Sequence, residues 1–310
     1  MRLIVGGAPA PAGESFAERA RDLSRRADGL RRLVMCEPRG HRAMVGAMFV
    51  DPGDDADVGI VFMDGEGWPP LCGHGVIGAM TIAIERGLLT TASSQARAAS
   101  LSTLRLQTPG ATLDVSWTRS ATHPSRVASV SYEGPAATVV ASAIALPVGT
   151  RALRADVVDF GGRHLVVDGE ASGVSLDVAG EHELTRAARR ITDAYEETAL
   201  ARATGVALDA VVFVGPPHGD DADVRCGAVF EGTGLDRGPS GSATGALCAL
   251  LDAMGAVAEG YVVTVEGPLG TKLRASVRRR VSVEGVPAIV PAITGTAAIT
   301  GDHVFYADPA

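Results

Sequence analysis

Two stretches of the chain place a protic side chain directly before a glycine and an apolar run of helix-forming residues. Segment 72–87 reads CGHGVIGAMTIAIERG, and segment 240–255 reads SGSATGALCALLDAMG. The two are equal in length from Cys72 or Ser240 to the closing glycine. Each predicted helix is apolar nearly all round, the pattern of a buried helix. A helix N-terminus carries amides without intrahelical acceptors and a partial positive charge, so it binds anions. Small residues after Cys72 and Ser240 let a ligand approach the backbone. Two such termini could grip a carboxylate and set one side chain on each face of its α-carbon. The helix field favours the thiolate form of a cysteine, and a thiolate can remove an α-proton.

Other chemistries fit these residues less well. Cys72 and His74 would supply only two zinc ligands, short of a closed or catalytic set. Residues 73–78, GHGVIG, match a dinucleotide-binding fingerprint, but Pro69 and Pro70 stand where a strand should lead in, and no acidic residue follows at the expected distance. Cys72 could also be a buried structural thiol, as Cys36, Cys226 and Cys248 are expected to be from their apolar surroundings.

Elements of suitable type surround the two segments. Short Val-rich runs bounded by Gly, Pro or Asp predict strands at 43–50, 58–63, 127–132, 154–160, 164–167, 210–214, 224–230, 261–265, 273–277 and 303–306. Helical periodicity predicts helices at 15–33, 76–86, 184–202 and 243–254. Strands outnumber helices and mostly follow one another directly, which argues for an α+β architecture over a doubly wound parallel sheet. The repeated segment suggests two structural halves, each built around one buried helix.

With 310 residues, 46% of them hydrophobic and only 4% aromatic, the core must be built from Val, Ala, Leu and Ile. The net charge of −8 and the lack of a basic stripe argue against a nucleic-acid partner. The arginines between positions 19 and 32 alternate with acidic and apolar residues, and a solvated helix face is expected there. No uninterrupted apolar stretch is long enough to span a bilayer, and the apolar run at the N-terminus is too short for a signal peptide. Four cysteines, dispersed and without a CxxC pair, fit a reducing, cytoplasmic setting.

Several motifs, in order along nearly the whole chain, carry a family resemblance. Residues 37–41 (EPRGH), 56–63 (ADVGIVFM) and 71–75 (LCGHG) resemble the N-terminal half of the proline racemase family. Residues 160–162 (FGG), 215–217 (GPP), 236–241 (DRGPSG) and 293–303 (ITGTAAITGDH) resemble its C-terminal half. The resemblance implies a diaminopimelate-epimerase-like fold, with two pseudo-symmetric halves, each a curved, mostly antiparallel sheet around a central helix. The halves would comprise 1–125 plus 288–310, and 126–287, with the active site in the cleft between them. It implies a homodimer, a small imino-acid substrate of the proline or hydroxyproline type, and no metal or organic cofactor. By position, Cys72 matches the family's first catalytic cysteine. The amides of Gly73, His74, Gly241 and Ser242 would hold the substrate carboxylate, and Asp236 would face the ring nitrogen. Glu37, His41 and His164 could join the pocket, although a structural role suits each better.

The chain departs from the racemase pattern at Ser240, where racemases and epimerases have a second cysteine. Inversion needs a base on one face and an acid on the other, and a serine hydroxyl is a far weaker acid than a thiol. The family's trans-3-hydroxy-L-proline dehydratases also lack that cysteine and usually carry threonine; residues 211–217 (VVFVGPP) resemble that branch too. Three readings follow. The first is a dehydratase that forms Δ1-pyrroline-2-carboxylate, with Ser240 assisting the leaving hydroxyl. The second is a proline racemase or 4-hydroxyproline 2-epimerase. The third is a catalytically silent imino-acid-binding member.

Overall fold

A computed structural model describes residues 1–89, 102–258 and 260–306. The chain divides into two compact units, Met1–Tyr132 with Thr294–Ala310, and Glu133–Ile293. Among the described residues, no helix is long and apolar enough to cross a membrane.

In the first unit the strands are β1 (Arg2–Ile4), β2 (Val45–Val50), β3 (Val58–Asp64), β4 (Thr103–Gln107), β5 (Thr112–Arg119) and β6 (Val127–Glu133), hydrogen-bonded in that order. β1 and β2 are parallel, as are β3 and β4; the other pairs are antiparallel. β3 is buried from Val58 to Met63 because both of its faces are covered. Val61 and Met63 pack in a cluster with α1 (Phe16–Arg26) and α2 (Asp28–Met35). On the opposite face, Phe62 lies against α3 (Gly73–Arg86). Strand alternation thus sends successive side chains to two different helical layers. α3 is the buried helix predicted from segment 72–87.

In the second unit the strands are β7 (Ala137–Val148), β8 (Arg151–Asp159), β9 (Arg163–Asp168), β10 (Ala210–Gly215), β11 (Val224–Phe230), β12 (Gly234–Leu235), β13 (Val262–Glu266), β14 (Lys272–Val283) and β15 (Val286–Gly295). The order runs β7-β8-β9-β10-β11-β13-β14-β15, and β15 pairs back onto β7, so the sheet closes on itself; β12 attaches to β11. The helices that accompany it include α4 (Glu181–Glu196), α5 (Ala199–Thr204) and α6 (Gly241–Ala253). α4 packs Leu184, Ala187, Ala188, Ile191 and Tyr195 against Leu165, Val167, Val211 and Phe213. α6 is buried from Ala243 to Leu250 and runs against β7, β8, β9 and β14.

α3 and α6 end alike. Gly87 (φ +65°) and Gly255 (φ +68°) both take the left-handed conformation that lets a chain leave a helix without a side-chain clash.

Several expectations need correction. The helix predicted at 15–33 is two helices, because Ala27 (φ −99°, ψ 11°) leaves the helical path; the bend lets Phe16, Leu23, Val34 and Met35 reach one apolar cluster. Arg31 is not on a solvated face. It is 5% exposed and donates through Nη1 to the Asp64 and Gly65 carbonyls. The helix predicted at 184–202 stops at Glu196, and α5 starts after the cap of Thr198, whose hydroxyl accepts from Ala201 N–H. Residues 303–306 form no strand. There Phe305 packs into the cluster of the first unit under the Arg2 guanidinium, while Val304 and Tyr306 stay exposed.

Candidate active site

Cys72 is the N-cap residue of α3, with extended backbone (φ −143°, ψ 104°). Its carbonyl accepts from Val76 N–H at 2.9 Å and starts the helical ladder. The first-turn amides, those of Gly73 and His74 among them, therefore have no carbonyl acceptor within the helix. The Cys72 side chain makes no cap bond to them. Its sulfur lies 3.6 Å from His74 Nε2, a contact in which thiol and imidazole can share one proton. A Cβ on Gly75 would stand 3.1 Å from that sulfur and 2.8 Å from Phe62 Cε1. Glycine at position 75 thus gives the sulfur its room between helix and strand. Tyr132, at the end of β6, is 3% exposed. Burial first, and the neighbouring Cys72 second, push its phenol above the ordinary tyrosine range, so it stays neutral beside the sulfur.

Ser240 is the N-cap residue of α6 (φ −68°, ψ 138°) and follows Pro239, which cannot donate to a preceding turn. Its hydroxyl oxygen accepts from Ala243 N–H at 3.4 Å and lies 3.1 Å from Ser242 Oγ. Ser240 is 4% exposed, and Ser242 is half-buried. Gly241 and Ser242 supply the first two amides of α6, the places that Gly73 and His74 hold on α3. Asp236 sits just past β12. Its amide donates to the Ala228 carbonyl at 2.8 Å, and its Oδ1 accepts from Gly238 N–H at 3.3 Å.

The two helix ends differ in a way that follows from their chemistry. A hydroxyl is a good acceptor for a cap bond, and Ser240 makes one; a thiol is a poor one, and Cys72 does not. The sulfur is left beside an imidazole, while the serine oxygen is held by the helix it caps.

The remaining residues considered from sequence lie elsewhere. Glu37 and His41 are exposed in the turn after α2. His164 is 1% exposed on β9; its ring Nδ1 meets the Gly162 carbonyl at 3.0 Å, and its Nε2 is buried without a partner. Burial pushes the His164 imidazole below its ordinary range, against the opposing pull of that carbonyl and of Asp209 and Asp159. Cys226 and Cys248 are buried core thiols, pushed up to about 12 and about 11, chiefly by burial. Phe62, Gly75 and Tyr132 around Cys72 were not predicted. Each looks in sequence like an ordinary core or helix residue, and only the register of β3, β6 and α3 brings them to the sulfur.

A mixed sheet around a buried helix in each of two units, together with these paired helix ends, is the diaminopimelate-epimerase-like arrangement. In fold the chain is similar to a hydroxyproline epimerase from Agrobacterium vitis solved with bound trans-4-hydroxy-L-proline (TM-score 0.77, 19% identity, covering 96% of this chain and 86% of that one). The proline racemase family model matches residues 1–310, and the chain belongs to that family. It is 30% identical to a trans-3-hydroxy-L-proline dehydratase from Bacillus cereus, over all of this chain and 91% of the relative. It is also 30% identical to a proline racemase from Clostridioides difficile, over 99% of this chain and 91% of the relative.

Proposed function

We propose that this enzyme dehydrates trans-3-hydroxy-L-proline to Δ1-pyrroline-2-carboxylate, with Cys72 and Ser240 acting on the same substrate molecule. The observation that carries this reading is the residue at the second helix end, a capping serine in place of a thiol. The Cys72 thiolate takes the Cα proton, and the electrons of that C–H bond form a Cα–C3 double bond as the C3–O bond breaks. The leaving hydroxide collects the Ser240 hydroxyl proton and departs as water. The resulting enamine tautomerises to the cyclic imine, and solvent carries the proton from sulfur back to the serine. The amides of Gly73, His74, Gly241 and Ser242 hold the carboxylate, since helix N-termini favour anions. Asp236 pairs with the cationic ring nitrogen, a charge-assisted contact. No step needs a metal or organic cofactor.

The 30% identity to a relative named as a dehydratase supports this reading. Equal identity to a proline racemase supports a second, inversion at Cα, in which Ser240 would have to protonate a carbanion. Inversion must also run in reverse, with Ser240 removing the Cα proton as a base. Among the described residues no basic side chain is bonded to its hydroxyl to activate it. The hydroxyl's described side-chain and amide partners are Ser242 and the Ala243 amide. Trans-3-hydroxy-L-proline should therefore give the imine, detected by NMR or by trapping with borohydride as proline. Cys72→Ala should lose this activity by more than about 1000-fold, the scale of a lost nucleophile or base. Turnover that survives the substitution would refute the assignment of the base.

A further inference from the structure

A cluster of four ionisable side chains lies in the second unit, separate from the residues assigned above. Arg225, at the start of β11, is 5% exposed, and Glu266, at the end of β13, is 2% exposed. The two are register partners across β11 and β13. Arg225 Nε lies 3.5 Å from Glu266 Oε1, within ion-pair distance but without hydrogen-bond alignment. His218 bridges them. Its Nδ1 is 2.7 Å from Glu266 Oε1, and its Nε2 is 2.8 Å from Arg225 Nη1. Arg225 Nη2 donates to Asp177 Oδ1 at 2.7 Å and to the Pro268 carbonyl at 3.3 Å. Such a buried pair is costly to desolvate and weak evidence for stability, so its presence needs another reason.

The reason lies in what the guanidinium brackets. Arg225 holds the Glu266 side chain and the Pro268 carbonyl, on either side of Gly267. A Cβ on Gly267 would stand 2.2 Å from Pro239 N and 2.4 Å from Gly238 C, so this turn is packed against the backbone that leads into Ser240. The same turn ties to that loop again, where Leu269 N–H donates to the Arg237 carbonyl at 3.1 Å. We propose that the Arg225–Glu266–His218 cluster, through the backbone of Gly267, fixes the 237–240 loop and so aims the Ser240 hydroxyl and the first amides of α6. Arg225 is then a positioning residue: it touches no substrate and acts through Gly267 and Pro239. Arginine is required because its planar fork serves Asp177, His218 and Pro268 at once, and a lysine ammonium cannot. The link to catalysis rests on the dehydratase reading above; the link to the loop does not.

Two measurements on the full chain separate these links. The first is hydrogen exchange at the amides of Ala243 and Thr244, which donate to the Ser240 hydroxyl and carbonyl. Arg225→Lys should speed it at least tenfold while leaving the strands β8 to β10 unchanged. Gly267→Ala, which pushes on the same loop with the ion cluster intact, should do likewise and guards against an Arg225 variant that fails to fold. Unchanged exchange at those amides in both variants overturns the proposal. The second is turnover of trans-3-hydroxy-L-proline. Both variants, assayed well below their thermal midpoints, should lose kcat about tenfold or more, in line with the rate cost of misplacing a reacting group. Loosened amides with wild-type kcat would overturn the catalytic part. A wild-type chain without dehydratase activity would refute the functional reading while the exchange result still decides the role of Arg225.

Discussion

Cys72 and Ser240 hold the same place on two helices and are engaged differently there. The serine oxygen accepts from its own helix, whereas the sulfur faces His74 in space kept open by Gly75. Environment also separates Cys72 from two of the remaining cysteines. Cys226 and Cys248 have no exposed surface to speak of, and their thiols are pushed up to about 12 and about 11. A thiol rather than a thiolate is inert to alkylation near neutrality. Iodoacetamide on the native protein at pH 7.5 should therefore label Cys72 and leave Cys226 and Cys248 unmodified, as read by peptide mass spectrometry. Labelling of the two core thiols at a comparable rate would contradict the burial described here.

His164 gives a second prediction at this scale. Burial lowers its folded-state affinity for protons below that of the unfolded chain. Below the ordinary imidazole range, near pH 6.5, the unfolded chain takes up a proton that the folded chain refuses. This contribution to stability is therefore complete above that pH and is lost as pH falls, with a slope of at most about 1.4 kcal/mol per pH unit. Denaturant unfolding at pH 7 and pH 5.5 should show the loss, and His164→Asn, which can keep the bond to the Gly162 carbonyl, should flatten it. Equal pH slopes in the two proteins would contradict it.

At the scale of elements, the packing of α6 depends on glycine where bulk would be expected. The Phe160 ring lies where a Cβ on Gly245 would be 2.2 Å from Cε1 and a Cβ on Gly134 would be 2.4 Å from Cζ. Gly245→Ala should gain a little helix propensity but overpack this contact, for a net loss of about 1–3 kcal/mol in equilibrium unfolding. A stabilised variant would show that the ring can move aside.

The elements also show what a single sequence discloses. α3 and α6 were legible, because two apolar runs of matched length, each set between a protic residue and a glycine, form a pattern that chance seldom produces. β11 was legible as a Val-rich run bounded by polar residues. β7 was not. Its Ala-rich sequence carries register shifts at Ala141 and Ile144 and a left-handed Ala143, so its side chains do not alternate cleanly. β1, β4, β5, β12 and β15 also escaped notice, although β5 does alternate through the buried Leu113, Val115 and Trp117. The break at Ala27 has no proline to mark it and comes from tertiary packing. The candidate site was legible only as its two helix ends. Tyr132 and the Arg225 cluster depend on pairings between distant strands, which no local pattern encodes.

At the scale of the whole molecule, a doubled plan has taken on two different chemistries. Each unit buries one helix of nearly the same length, begun by a protic residue and closed by a left-handed glycine. The last segment of the chain returns to the first unit, where Phe305 joins its apolar cluster and Asp302 pairs with Arg86 at 2.7 Å. With a thiol at both helix ends such a plan suits inversion at carbon. With a thiol at one end and a capping hydroxyl at the other, we propose that it serves elimination. Replacing the serine by cysteine should restore the symmetric pair, so Ser240→Cys is expected to lose dehydration and gain exchange at Cα.

We propose that Ser240 makes this family member an eliminating enzyme. This is tested most directly by incubating the wild-type protein in deuterated water with trans-3-hydroxy-L-proline, and in parallel with L-proline and trans-4-hydroxy-L-proline, and following each by NMR. Imine is expected from the first substrate, and no inverted, Cα-deuterated product from the other two. Inverted product carrying deuterium at Cα, with no imine from trans-3-hydroxy-L-proline, would contradict the proposal.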